Sequence, residues 1–215
     1  TIGMGADFYS NGVLVEIPGD HRRLTDLERV QPLLAEDPDW LHIRARLPLG
    51  KGILHKEIAV HLHESRVRLA YHLDPPERPM GIVRVGNVTL FSDSMSLPLY
   101  LQCHNGGAEP EAFLLEAPIN HGLAASSLVS SRSGLGATEG TLTIHDDNGC
   151  GATFRWRPDR CAALPMLTHE EHHGKHFTRL SFSLSELDDT SRSGGCLLPF
   201  SFDLLPYSMT RHDRG

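Results

Sequence analysis

The chain has 215 residues and a formal net charge of -7, because 27 acidic residues outnumber 20 basic ones. This length suits one large all-β domain or two small domains. A negative chain has no electrostatic attraction for nucleic acid or for an anionic membrane surface, so we expect neither as a partner. No apolar run approaches the roughly 20 residues that cross a bilayer, and the first residues lack the features of a signal peptide.

The cysteines and the first residue bear on where the protein works. The four cysteines are Cys103, Cys150, Cys161 and Cys196. They form no CxxC pair, which excludes the usual zinc spacings, and we expect reduced thiols and a cytoplasmic location. The chain begins at Thr1 without an initiator methionine, which is compatible with a piece of a longer enzyme.

The first quarter of the chain mixes strand and helix signals. Residues 13–17 are a short apolar run stopped by Pro-Gly and predict a strand. Residues 22–36 carry leucines at near-helical spacing and predict a short helix or an irregular crossover. Residues 40–47 alternate between apolar and polar side chains, which predicts an amphipathic strand. Its predicted inward side chains are Leu41, Ile43, Ala45 and Leu47, and its predicted outward side chains are His42, Arg44 and Arg46.

The remainder of the chain reads as strands and turns. Two hairpins are predicted, one over residues 58–71 and one over residues 141–157, each with alternating strands around a polar turn. Further strands are predicted at residues 82–90, 180–184 and 199–205. Because short strands recur without a long helix, a fixed repeat or an interior linker, we predict an all-β fold. It is a large antiparallel β-sandwich that forms a single domain over residues 1–215.

The stretch from residue 99 to residue 140 contains most of the polar residues that do not resemble ordinary surface. Along its first strand, Tyr100, Gln102 and His104 share one face, while the alternate residues form a core face. An Asn-Gly turn signal follows His104, which places polar groups at a strand end, where binding residues are often found. The predicted ligand-binding residues are His104, Asn105, Glu109, Glu111, His121 and Glu139.

Three kinds of chemistry fit these residue types. A histidine and a carboxylate could supply a general base and a general acid. The same groups could hydrogen-bond the hydroxyls of a sugar, or carboxylate oxygens could hold a calcium ion. Gly134 to Gly140 lack the lysine of a phosphate-binding loop, so these glycines are expected to allow positive φ in a loop or to let the backbone approach a ligand closely.

Residues 169–173 match the HExxH pattern of zinc peptidases. That chemistry needs a helix, because histidines at i and i+4 must face one metal. Pro165 precedes the motif, Gly174 follows it, and no apolar residue anchors a helix there. We therefore expect a polar loop and predict neither a bound metal nor a cofactor.

Trp40 and Trp156 could stack on a sugar, yet each lies among apolar residues on an alternating strand, which favours a core position.

Four segments carry a resemblance to a known family: residues 40–47, 55–71, 79–90 and 177–184. They resemble the C-terminal β-sandwich of glycoside hydrolases of the α-amylase/α-mannosidase type, including 4-α-glucanotransferase-like enzymes. That sandwich is similar to the galactose mutarotase-like fold, a supersandwich. The resemblance implies an accessory domain that lies downstream of a catalytic barrel. No catalytic motif of the family matches position by position, so no catalytic residue is transferred.

Three hypotheses follow. The first is a non-catalytic, carbohydrate-associated domain of a glycan-processing enzyme, which binds an oligosaccharide or polysaccharide or packs against a catalytic domain. The second is a sugar-active enzyme, a mutarotase-like epimerase or a glycoside hydrolase, that uses a histidine and a glutamate. The third is a structural or oligomerisation domain. An imidazole and a carboxylate that face one sugar-sized pocket would favour the enzyme.

Overall fold

The computed structural model describes residues 10–17, 22–74, 81–121, 135–161, 163–185 and 199–208. In these ranges every element of regular secondary structure is a β-strand. The strands are β1 (Val13–Ile17), β2 (Arg22–Thr25), β3 (Leu33–Glu36), β4 (Trp40–Leu49), β5 (Gly52–His61), β6 (Val67–Asp74), β7 (Ile82–Phe91), β8 (Leu99–Cys103), β9 (Glu111–Leu114), β10 (Ile119–Asn120), β11 (Thr141–Asp146), β12 (Cys150–Trp156), β13 (Leu164–His172), β14 (Lys175–Ser185) and β15 (Phe200–Ser208). No helix suited to crossing a bilayer occurs in the described ranges.

The strands form two antiparallel sheets. The smaller sheet has six strands in the order β10-β13-β14-β7-β1-β2, and the larger has nine in the order β3-β4-β5-β6-β15-β12-β11-β8-β9. This architecture confirms the prediction of an all-β antiparallel sandwich. Both predicted hairpins are present, because β5 pairs with β6 and β11 pairs with β12 as chain neighbours.

The core lies between the sheets and is centred on aromatic rings. The ring of Phe182, from the six-stranded sheet, lies 5.0 Å from that of Trp156 and 4.7 Å from that of Phe202, both from the nine-stranded sheet. Edge-to-face and tilted contacts of this kind add to the free energy gained by burying the rings. Trp156 is therefore a core residue, as predicted.

Of the two alternatives predicted for residues 22–36, the helix is wrong, whereas a crossover is present because the chain passes from one sheet to the other here. This segment forms β2, which pairs with β1 at the edge of one sheet, and β3, which pairs with β4 at the edge of the other. Leu27 and Leu34 are 47% and 69% exposed, so the leucines that suggested a helical stripe do not share a buried face. Pro32 also removes a backbone donor, a loss that the start of an edge strand tolerates and a helix interior does not.

Alternation along β4 orients the outer face of the nine-stranded sheet. Leu47 and Leu49 are buried against the six-stranded sheet, whereas Arg44 and Arg46 are exposed on the opposite side. Because β5 and β6 pair with β4 in register, their polar residues emerge on this same outer side. The fold thus separates an apolar interior from one broad polar surface.

Candidate functional site

The stretch predicted to hold the binding residues begins as expected. Leu99, Leu101 and Cys103 of β8 are buried in the core, and Tyr100 and Gln102 are partly exposed on the other face. This pattern confirms the alternation read from the sequence. Residues 122–134 of the stretch lie outside the described residues.

The side chain of Asn105 fastens two loops at the end of β8. Its amide oxygen accepts a hydrogen bond from the backbone N–H of Ala137, at 3.3 Å, and its amide nitrogen donates to Oε2 of Glu111, at 3.1 Å. The backbone N–H of Thr138 donates to the carbonyl oxygen of His104, at 2.8 Å. Asn105 and Glu111 therefore hold this corner of the protein together.

Of two glycines in the following loop, Gly140 has the positive φ that was predicted, whereas Gly136 is packed against the protein itself. Gly140 has φ of +66°, and a Cβ there would lie 2.3 Å from the carbonyl oxygen of Trp156. A Cβ on Gly136 would lie 2.4 Å from Oδ1 of Asn105. The close approach at Gly136 is thus to a side chain of the protein. Glu109 and Glu139 are exposed in these loops.

His121 lies on the other sheet. Its backbone N–H donates to the carbonyl oxygen of Leu167 in β13, at 2.9 Å, and its Nδ1 accepts from the backbone N–H of the same residue, at 3.1 Å. Burial lowers the pKa of this imidazole. The predicted ligand-binding residues are therefore divided: Asn105 and Glu111 are hydrogen-bonded to each other at the end of β8, where Nδ1 of His104 lies 3.4 Å from the carbonyl oxygen of Gly107, whereas His121 extends the edge of the six-stranded sheet.

The HExxH motif lies in β13 and the turn that follows it. An extended chain separates residues i and i+4 by about 13 Å, so His169 and His173 do not have the helical arrangement that zinc requires. In the described part of the chain no group of three or more His, Cys, Asp or Glu side chains could hold a metal ion. The motif is not helical, as predicted, but the predicted polar loop is wrong, because residues 169–172 belong to strand β13 and His169 is fully buried.

Three residues around the motif form a buried polar group, which we call the inner histidine cluster: His169, His176 and Thr178. The hydroxyl of Thr178 lies 2.8 Å from Nδ1 of His169 and 3.0 Å from Nδ1 of His176. Nε2 of His176 donates to the carbonyl oxygen of Met95, at 3.1 Å. Burial lowers the pKa of His169 and outweighs the opposite effect of Glu171, whose carboxylate is 3.2 Å from Nε2.

A continuous polar surface covers the outer side of the nine-stranded sheet, and we call it the polar face. It is built from alternate residues of β4, β5, β6 and β15, with the preceding Arg66. Its members are Trp40, His42, Arg44, Arg46, His55, Glu57, Ala59, His61, Arg66, Arg68, Ala70, His72, Ser201 and Asp203. Ala70 leaves a depression between the charged side chains, because a methyl group projects little from the sheet, whereas Ala59 is covered by its neighbours.

Trp40 anchors two arginines at one end of the polar face. The guanidinium carbons of Arg66 and Arg68 each lie 4.9 Å from the centroid of its ring, within cation–π range. Nε of Arg68 donates to Asp203 at 2.8 Å, and Nε of Arg66 lies 3.2 Å from the same carboxylate. The edge of the His61 ring packs against the indole at 4.6 Å. Trp40 thus lies on the polar face, and the core position favoured for it is wrong.

His42 lies between two carboxylates. Its Nε2 is 3.0 Å from Oδ2 of Asp37, and its Nδ1 is 3.2 Å from Oε1 of Glu57. The hydrogen bond to Asp37 raises the pKa of His42, and Glu57 adds to this effect against a smaller effect of desolvation. Partial burial opposes ionisation of Glu57, but the hydrogen bond from Arg44 and the nearby ring of His42 outweigh this effect and lower the pKa of the carboxyl.

A cavity of about 710 Å³ lies next to this group on the polar face. Its volume is within the range of small-molecule sites. Its polar lining residues are Arg44, Arg46, His55, Glu57 and His72. Apolar surface is added by Ala70 of β6, by Leu33 of β3 and by Val30. The rings of His55 and His72 lie 5.8 Å apart. A carboxylate and two imidazoles therefore line one open cavity.

The alternation of β4 indicates one part of this site in the sequence itself. Trp40, His42, Arg44 and Arg46 have the same parity in a clean alternating strand, which places all four on one face. The partners that complete the site are far away along the chain: Arg68 and Asp203 are 135 positions apart. Their meeting depends on β15 pairing with β6, which no local pattern specifies.

No protein-family model and no curated protein matches the chain. Among solved structures, it is similar to a quadruple mutant of the α-N-acetylgalactosaminidase NagBb from Bifidobacterium bifidum, with a TM-score of 0.61 and 9% identity. The match covers 94% of this chain and 31% of that one, so the chain spans about a third of the length of NagBb.

A second similar structure is a protein from Escherichia coli K12 described as a "Putative aldose 1-epimerase", with a TM-score of 0.51 and 9% identity. That match covers 96% of this chain and 87% of the other. At such low identity these likenesses show the fold alone. The fold is a galactose mutarotase-like β-sandwich, as the resemblance implied.

Proposed function

We propose that this chain is a carbohydrate-associated domain of a glycan-processing enzyme and that the cavity of the polar face binds an oligosaccharide or polysaccharide. The observation that carries the proposal is the lining of that cavity by Arg44, Arg46, His55, Glu57 and His72. These side chains present planar sets of donors and acceptors, which suit the neighbouring hydroxyls of a sugar ring. Leu33 and Ala70 supply the apolar contact that the C–H groups of such a ring need.

The fold supports an accessory role. NagBb, named for an α-N-acetylgalactosaminidase activity, contains this fold as about a third of its length. A sandwich of this kind therefore exists within a larger glycan-processing enzyme. By analogy, the proposed partner of this chain is a catalytic domain in the same polypeptide.

A sugar-active enzyme is the second candidate function, and one specific observation favours it. The carboxylate of Glu57 and the imidazoles of His55 and His72 line the same cavity. Mutarotase chemistry needs one group that takes a proton from the sugar and one that gives a proton to it. An imidazole and a carboxylate that contact the same bound sugar can do this. The carboxylate of Glu57 already accepts a hydrogen bond from Arg44 and lies 3.2 Å from Nδ1 of His42. These contacts favour a role of this carboxylate in binding a sugar over a role in proton transfer.

Titration of the intact chain with α- and β-linked oligosaccharides, followed by calorimetry and by NMR, tests the site. Ala70→Leu fills the cavity and is expected to weaken binding at least about tenfold. Ala112→Leu is the matched control, because Ala112 lies on the same side of the sheet in the edge strand β9, away from the cavity. Both variants should keep the circular dichroism spectrum of the parent.

His104→Ala decides between the two proposed positions of the ligand. If the ligand binds at the end of β8, this variant weakens binding and Ala70→Leu does not; the polar-face site requires the reverse. Absence of binding by the parent chain across the panel would overturn the carbohydrate proposal. Faster anomerisation of freshly dissolved sugars in the presence of the chain would identify the enzyme in place of the accessory domain.

A further inference from the structure

The charge around the cavity differs in sign from the charge of the whole chain. The chain carries a net charge of -7, yet the charged groups that face the cavity are Arg44, Arg46 and Glu57. Lys56 also borders the cavity, but its amino group is bonded to the carboxylate of Asp26 and to the carbonyl oxygen of Asn11. With the histidines neutral, the cavity therefore carries an excess of one positive charge.

The carboxylate of Glu57 does not neutralise both arginines. It accepts a hydrogen bond from Nε of Arg44 through one oxygen, and its other oxygen lies 3.2 Å from Nδ1 of His42. Arg46 has a different environment: its cross-strand neighbour is His55, whose own neighbour on β6 is His72. Among the residues that the structure describes, no carboxylate forms an ion pair with Arg46.

An arginine without an ion-pair partner in the lining of a cavity favours an anionic ligand. A guanidinium binds a planar carboxylate, or two oxygens of a sulfate or phosphate, through two parallel N–H···O bonds. Charge-assisted bonds of this type are roughly twice as strong as neutral ones. A neutral sugar in the same position would desolvate Arg46 without supplying that compensation.

We propose that the cavity of the polar face selects a saccharide that carries an anionic substituent and that Arg46 binds that substituent. Glu57, held by Arg44 and His42, accepts hydrogen bonds from the hydroxyls of the same ligand. This inference rests on the proposed function, because it assigns the chemistry of the ligand to the same cavity.

The test compares matched ligands on the intact chain. Neutral glucose oligosaccharides are titrated beside oligosaccharides of the same linkage that contain glucuronate, a sulfate ester or a phosphate ester, with inorganic sulfate and phosphate as simple anions. We expect at least one acidic saccharide to bind about tenfold more tightly than its neutral counterpart, with the difference shrinking as salt is raised. The three acidic ligands identify which anionic group the cavity accepts.

Two arginine variants separate a specific contact from general charge. Arg46→Gln should remove most of the preference for the acidic saccharide and leave binding of the neutral one nearly unchanged. Arg155→Gln removes the same charge from an exposed arginine on the same side of the sheet, next to Asp203 and outside the cavity lining, and should preserve the preference. An equal loss in both variants would overturn the role of Arg46.

The remaining outcomes distinguish the two proposals. If neutral saccharides bind as tightly as acidic ones, the inference about Arg46 fails while the proposed function stands. If inorganic sulfate or phosphate binds as tightly as the acidic saccharide, the cavity is a simple anion site and the inference also fails. If no saccharide of either kind binds, both proposals fail.

Discussion

Two groups of histidines in this protein lie in opposite environments. His169, in the inner histidine cluster, is fully buried, and burial lowers its pKa. His42, on the polar face, lies between Asp37 and Glu57, and the hydrogen bond to Asp37 raises its pKa. The comparison shows that the 14 histidines of the chain do not respond to pH as one population. Desolvation lowers the pKa of His169, whereas neighbouring carboxylates raise the pKa of His42.

The largest effect is expected from removing the hydroxyl at the centre of the inner cluster. The hydroxyl of Thr178 lies 2.8 Å from Nδ1 of His169 and 3.0 Å from Nδ1 of His176, so it is the hydrogen-bond partner that the two rings share. Thr178→Val keeps the shape but leaves two buried ring nitrogens without this partner. We expect a loss of about 1–3 kcal/mol in the free energy of unfolding, measured with urea. Thr178→Ser is the control and should stay close to the parent; an equal loss in both would contradict the explanation.

The second prediction concerns stability in acid. Because the pKa of His169 in the folded state is below its ordinary value of 6.5, the unfolded chain binds the proton more readily. The free energy of unfolding should therefore fall as pH falls through about 6.5 towards the lowered pKa. His169→Gln should reduce this dependence, measured by urea unfolding on both sides of pH 6.5. An unchanged slope in the variant would show that other groups cause the acid sensitivity.

The smallest effect is expected at His42, because exposed ion pairs are screened by solvent. Its folded-state pKa is raised, so its stabilising effect is fully present below pH 6.5 and is lost as pH rises through the raised value. Asp37→Asn removes the main cause and should lower the midpoint of the His42 ring titration observed by NMR. Asp39→Asn, two residues along the chain, should leave the midpoint unchanged. If both variants lowered the titration midpoint of His42 equally, the raised pKa would come from nearby negative charge in general and not from the hydrogen bond to Asp37.

Sequence reasoning located the strands well where the alternation was clean. The hairpins β5–β6 and β11–β12 and the inward residues of β4 were all predicted, because a period of two is a local property of the backbone. It failed over residues 22–36, where β2 and β3 lie at sheet edges. Edge strands have one partner and an exposed flank, so their apolar residues need not alternate.

The candidate site was less accessible to the same reasoning. The polar residues from His104 to Glu139 were recognised because they are close in sequence, and of these Asn105 and Glu111 hold their own loops together. The cavity of the polar face was not recognised, although His42, Arg44 and Arg46 were correctly placed outward. Outward charge on a strand is ordinary, and only its neighbours distinguish a site from a surface.

The sequence by itself determined the class of structure: alternating strands, turns and an aromatic core produce an antiparallel sandwich, because each strand must bury one face. Only the tertiary structure decided which strands became neighbours. The insertion of β15 between β6 and β12 brings Asp203 to Arg68, and the register of β4, β5 and β6 gathers Arg46, His55 and His72 around one cavity. Strand order is set by the packing free energy of the whole core, which no local pattern of residues encodes.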